Sequence, residues 1–242
     1  KIREAELLEP LIPTVRQSLE HRHSYVRKNA VLAILTIYQR HEQLISDAPE
    51  VIEEFLASEN DATCKRNAFM MLVQTAPERA VAYLSGVSAQ VGAMDELMQL
   101  AVIELVRKVA KHDNPDRAEY VVIISELLAS PSHAVKYEAA ITLAGLAHNV
   151  PSVKAVASAL IDLTVQESDN NVKLIVLDRL DALRMRHEHV LDPLVTDLLR
   201  VLSSPDMDVR KKVLGMVLEM LSVRSVEEVI LLLKKELAKT AG

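Results

Sequence analysis

Apolar positions recur at helical spacing wherever they can be followed, as in Val153, Val156, Leu160 and Leu163, and again in Val226, Val229, Ile230, Leu233 and Leu237. No segment sustains the period-2 alternation of a half-buried strand. Short polar clusters punctuate the helical stretches at His21–Ser24, Ser58–Asp61, Asp113–Asp116, Ser130–His133, Asn149–Ser152, Ser168–Asn171, Ser203–Asp206 and Arg224–Ser225. Several of these read as helix starts: Asn114 before Pro115, Ser204 before Pro205, and Ser225 with Glu228 as a capping box.

One five-residue pattern opens a helix again and again. It reads apolar, basic, any, any, small apolar: Val26-Arg27-Lys28-Asn29-Ala30, Cys64-Lys65-Arg66-Asn67-Ala68, Val135-Lys136-Tyr137-Glu138-Ala139, Val172-Lys173-Leu174-Ile175-Val176 and Val209-Arg210-Lys211-Lys212-Val213. With a weaker copy ending at Ala101, the last positions lie 38, 33, 38, 37 and 37 residues apart. A period near 37 with helix, polar turn and helix in each unit is the mark of a helical repeat array. First helices are predicted over Leu7–Glu20, Pro49–Ser58, Pro77–Ser85, Pro115–Ser130, Pro151–Glu167 and His189–Leu202, with a closing helix over Val226–Lys239. Because a single hairpin cannot bury its own apolar face, neighbouring hairpins must share cores. The fold class is therefore all-α: an α-solenoid of HEAT/armadillo-type helical hairpin repeats, about six pairs plus the closing helix. Residues 1–242 are expected to form a single continuous segment of a longer trunk. Within it, Leu180 and Leu233 are expected to hold neighbouring units together. The third unit is shorter than the rest and carries Gly86 and Gly92, and it is expected to sharpen the bend and help form a concave seat for a globular partner.

Composition narrows the picture. Half of the 242 residues are apolar but only 3% are aromatic, so the core must be aliphatic. Five glycines are too few for phosphate-cradling loops or a hairpin-rich β fold. Neither G-x-x-x-x-G-K-[ST] nor G-x-G-x-x-G occurs, and Gly145 and Gly215 sit inside helical patterns, where close packing is the expected reason for them. Single Cys64 excludes an internal disulfide and reads as a buried thiol. The longest apolar runs, Val121–Ile124 and Val229–Leu233, fall far short of the roughly 18 residues that span a bilayer. A soluble, cytoplasmic protein is expected. The chain begins at Lys1 with no signal-like segment, and reads as a piece of something longer.

Candidate chemistry is sparse. His187-Glu188-His189 has the wrong spacing for a helical metal pair, because i and i+2 point to different sides. His21 and His23 have no companion cysteine. Adjacent acids such as Glu53-Glu54 and Glu227-Glu228 do not face each other. Met70-Met71 and Met216–Met220 read as flexible core filling. No catalytic, cofactor or metal residues are nominated, and no cofactor is expected. A formal charge of −6 and few aromatics speak against nucleic acid as a partner. One candidate surface remains: the basic ladder Arg27, Lys65, Arg66, Lys136, Lys173 and Arg210. It serves either as a structural set paired with carboxylates of the preceding turns, such as Asp61, Asp169 and Asp206, or as a stripe for an acidic partner.

Several longer strings are specific. EAELLEPL at 4–11, HRHSYVRKNAVLAI at 21–34, CKRNAFMML at 64–72, VKYEAA at 135–140, ESDNNVKLIVLDRL at 167–180, and VEEV with LKKE at 226–236 together resemble the beta subunits of coatomer, the COPI vesicle coat. The resemblance covers essentially the whole chain and is weakest over 86–95 and 184–191. It implies a non-catalytic adaptin-like trunk that cradles the longin domain of delta-coatomer, contacts other coatomer subunits and engages an Arf-family GTPase in its GTP state. It further implies peripheral association with Golgi membranes and COPI vesicles through the assembled coat, for Golgi-to-ER and intra-Golgi transport. A clathrin-adaptor-type large-chain trunk, or another HEAT-repeat scaffold, would share the fold and differ in partners.

Overall fold

The computed structural model describes residues 5–110, 116–187, 189–222 and 225–240, without the side chains of 228 and 236–240. Every regular element among them is helical. In order they are α1 (Ala5–Leu8), α2 (Ile12–Gln17), α3 (Ser24–Arg40), α4 (Ala48–Ser58), α5 (Ala62–Thr75), α6 (Pro77–Val87), α7 (Glu96–Val109), α8 (Arg117–Leu127), α9 (His133–Leu146), α10 (Val150–Gln166), α11 (Asn170–Arg186), α12 (Val195–Leu199), α13 (Met207–Glu219) and α14 (Val226–Thr240). They group into two compact units, Lys1–Lys111 and His112–Gly242.

In the first unit α3 packs on α5, and α5 packs on α4, α6 and α7. The helices that carry the five-residue signature thus stack on one another, each closed by its hairpin partner. Within the second unit α9 packs on α8 and α10, α10 on α11, α11 on α13, and α12 on α13 and α14. The shared cores are aliphatic, with Ile34, Leu56, Leu72 and Leu105 buried in one unit and Leu143, Leu160, Leu180 and Val217 in the other. The small fifth position of the signature is buried in all five clear copies, at Ala30, Ala68, Ala139, Val176 and Val213. A small side chain there admits the close approach that stacking needs.

Some expectations require correction. Leu7–Glu20 is not one helix: Pro10 and Pro13 remove backbone donors, and the segment alternates α1, a 3-10 turn at Glu9–Leu11, α2 and a second 3-10 turn at Ser18–Glu20. The segment expected as His189–Leu202 is likewise broken, with 3-10 turns at Asp192–Leu194 and Arg200–Ser203 around α12. The start expected at Asn114-Pro115 lies outside the described residues, as does Glu188. The start read at Ser204-Pro205 shifts to Asp206, which caps α13. Gly145 and Gly215 are not packing devices, since a Cβ added at either meets nothing within 4 Å. Leu180 is buried as expected, but Leu233 is only half-buried, and among the described side chains of α14 Val229 is the buried one. Cys64 is fully buried, its Sγ donates to the Ser24 carbonyl at 3.3 Å, and burial pushes the thiol up to about 11.

Candidate partner-binding surface

The turn before each signature helix follows one construction. Five residues ahead of the signature, a side chain accepts the backbone N–H two positions on. His21 takes that of His23 at 3.1 Å, Glu59 that of Asp61 at 2.8 Å, Ser130 that of Ser132 at 3.3 Å, Glu167 that of Asp169 at 3.2 Å, and Ser204 that of Asp206 at 3.4 Å. The next side chain in this relay caps the helix. Asp61, Ser132, Asp169 and Asp206 accept from the N–H groups of Cys64, Val135, Val172 and Val209, the first signature positions. In the third repeat Asp95 caps the N–H groups of Leu97 and Met98, so that copy runs from Met98 to Val102 rather than ending at Ala101. Its second position is Gln99, which is buried and donates to the carbonyls of Val91 and Gly92, both at 3.1 Å.

This construction changes the meaning of the carboxylates. Asp61, Asp169 and Asp206 are helix caps and form no ion pairs with Lys65, Lys173 or Arg210. Among the described residues Lys65, Lys136, Lys173 and Arg210 make neither a side-chain hydrogen bond nor an ion pair. Arg66 donates only to its neighbour Asn67, at 3.2 Å. Arg27 alone is locked, with a two-pronged pair to Glu59 of the next repeat at 2.6 and 2.9 Å and further bonds to the His21 and Arg22 carbonyls. Lys173 is 9% exposed, its stem laid along the core, while Val172 beside it is 37% exposed. The ladder is therefore uneven: Arg27 is structural, Lys173 is sheathed, and Lys65, Arg66, Lys136 and Arg210 are half-buried cations with no ion pair among the described residues.

Two carboxylates are strongly perturbed. The Arg27 guanidinium, followed by the Asp61 and Asn60 N–H groups, holds Glu59 down at about 2 against the cost of burial. His133, through a 2.9 Å bond from Nδ1, together with the Asp169 and Ser168 N–H groups, holds Glu167 at about 2. An ionised carboxylate only accepts, so the proton in that bond sits on Nδ1 of His133.

The sequence reading missed a second set of contacts, between residues 26 to 35 positions apart. Arg16 pairs with Asp47, Arg79 with Glu50 and Glu53, Arg184 with Glu219, and Lys212 with Asp178 at 2.8 Å. Lys108 Nζ donates to the Val73 carbonyl at 2.6 Å, closing the end of α5. Arg117 does the same for α9 at the Leu146 carbonyl, at 2.9 and 2.7 Å. Opposite charges about 26 to 35 residues apart were the available signal. No group of three or more metal-capable side chains occurs among the described residues, nor any helix long and apolar enough to cross a membrane.

Comparison with known proteins places this architecture. The family described as "Adaptin N terminal region" matches residues 1–241. Coatomer subunit beta of Sus scrofa is 56% identical over 99% of the chain, that of Dictyostelium discoideum 52% over 99%, and coatomer subunit beta-2 of Arabidopsis thaliana 45% over 99%. The chain spans only about a quarter of the length of these relatives, with 25% of the first covered and 26% of the other two. The resemblance to coatomer beta subunits thus holds across nearly every repeat, and the chain belongs to the adaptin N-terminal region family.

Proposed function

We propose that this chain is a non-catalytic scaffold segment of the COPI coat, part of the trunk of a beta-coatomer subunit acting in Golgi-to-ER and intra-Golgi transport. The observation that carries the reading is identity of 45–56% with coatomer beta subunits over 99% of the chain. On this reading all six hairpins form one continuous solenoid, since the helix caps keep their 37-residue spacing from Asp95 to Ser132, onward to Asp169 and then Asp206. The partners are the longin domain of delta-coatomer, other coatomer subunits and an Arf-family GTPase in its GTP state. The protein works in the cytoplasm and reaches Golgi membranes and vesicles through the coat. Lys65, Arg66, Lys136 and Arg210 are the ladder residues that supply charge to such partners, because no carboxylate among the described residues pairs with them. A largely preformed helical surface supports docking without a large ordering cost.

A pull-down of the chain against the delta-coatomer longin domain and a GTP-locked Arf-family protein, each tested separately, checks the reading. Capture of the longin domain is expected. Capture instead of the corresponding domain of a clathrin adaptor, with none of delta-coatomer, would replace the coat assignment.

A further inference from the structure

The third repeat breaks the construction used elsewhere, and a hollow opens where it does. Helix α6 stops at Val87, the chain continues as a 3-10 segment over Ser88–Ala93, and only at Asp95 does a cap restart the helix. Between this segment and the α4–α5 turn lies a cavity of about 460 Å³, walled by Leu56, Tyr83, Val87, Met94 and Met98, with Lys65 on its lining. That volume lies within the range of pockets that hold small ligands or side chains. Its walls are supported from behind: Leu56 and Met98 are buried, and the Tyr83 ring leans on buried Phe69 at 5.9 Å and 52°.

The charges around it are unequal. Glu59 is occupied by Arg27 and two backbone N–H groups, and Asp61 by the Cys64 N–H. Asp95, which also borders the cavity, is occupied by the Leu97 and Met98 N–H groups. Lys65 has no hydrogen-bonding or ionic partner among the described residues. Beside its apolar walls the cavity also bears Asn60 and Gln90, its one lining carboxylate is held at the N-terminus of α7, and its one lining cation, Lys65, is unpaired among the described residues, which favours an occupant with an apolar side chain and a nearby negative charge.

We infer that this cavity docks a short segment of a partner protein in which an apolar side chain is followed closely by a carboxylate. The apolar side chain enters between Tyr83, Met94 and Met98, and the carboxylate pairs with Lys65. The inference rests on reading the chain as a protein-binding scaffold, but not on the longin domain or the GTPase being the partner. Failure of either pull-down therefore leaves it standing, and its own failure leaves the coat assignment standing.

The test is a titration followed by NMR of the chain labelled at its methionine methyl groups. The probe is a capped synthetic peptide with the core Leu-Glu in a Gly-Ser frame, and its controls carry Ser for Leu or Lys for Glu. Saturable shifts are expected at Met94 and Met98, with Met216 and Met220 unmoved. Lys65→Glu should weaken the Leu-Glu peptide by about tenfold, roughly 1.4 kcal/mol, and should favour the Leu-Lys peptide by reversing the charge pairing. A circular-dichroism melt confirms that the variant folds. Absence of shifts at Met94 and Met98, or shifts that ignore the charge swap, would overturn the assignment.

Discussion

The turns before α5 and α11 are built alike and held differently. Glu59 and Glu167 each accept the two backbone N–H groups that follow, each precedes a capping aspartate, and each reaches back to a side chain of the preceding repeat. In the first unit that side chain is Arg27, and the Glu59 carboxylate is 4% exposed. In the second it is His133, with Glu167 at 15% and the imidazole at 41%. The turn is thus a constant of the repeat, whereas the group that fastens it to its neighbour is free to vary. The shared aliphatic core sets the stacking, and the fastening adds to it in proportion to burial.

If this division is right, the largest effect comes from the part the two regions share. Leu72→Ala in the buried face of α5 and Leu180→Ala in that of α11 should each cost about 2–5 kcal/mol in chemical denaturation. Leu233→Ala, at a half-buried site, should cost clearly less than either. A next, smaller effect separates the regions. Glu59→Gln should destabilise by about 1–3 kcal/mol, because it unmatches a buried polar site. Glu167→Gln, at the more exposed pair, should cost less, and equal costs would show that the partner is immaterial.

Acid sharpens the same comparison. Both carboxyls stand at about 2 in the folded chain against an ordinary 4.5, so the stability they supply is present above 4.5 and lost as pH falls towards 2. Either Gln substitution should flatten the acid limb of the stability curve in that window, and Glu59→Gln, whose partner is a guanidinium, should leave its shape above pH 5 unchanged. The smallest effect is a gain. Gly215→Ala, mid-helix in α13 with open space for a methyl group, should stabilise by about 0.5–1 kcal/mol, seen as a higher melting temperature.

The repeat itself was legible because burial writes itself into apolar spacing: the fifth signature position is buried wherever the copy is clear. Breaks at Pro10, Pro13 and Pro193 were visible as residues, but the helical pattern continues across them, so each broken segment reads as one helix. Asp61, Asp169 and Asp206 were found as acids near cations, and their true role depends on backbone geometry that spacing does not encode. The exposure of Val172 beside buried Lys173 shows the same limit, since which of two adjacent residues, about 100° apart on α11, faces inward is set by the helix packed against it. Contacts one repeat apart, such as Arg27 with Glu59, need the stacking before they can be recognised. The cavity beside Lys65 arises from a shortened helix and a displaced cap, of which only the irregular interval and the glycines could be read in advance.

Hydrogen–deuterium exchange of the chain, alone and with excess delta-coatomer longin domain, tests the scaffold reading most directly. Docking on a preformed helical surface predicts slowed exchange in exposed stretches of the stacked hairpins, with the core amides of α5 and α11 unchanged. Identical exchange maps with and without the longin domain would contradict it.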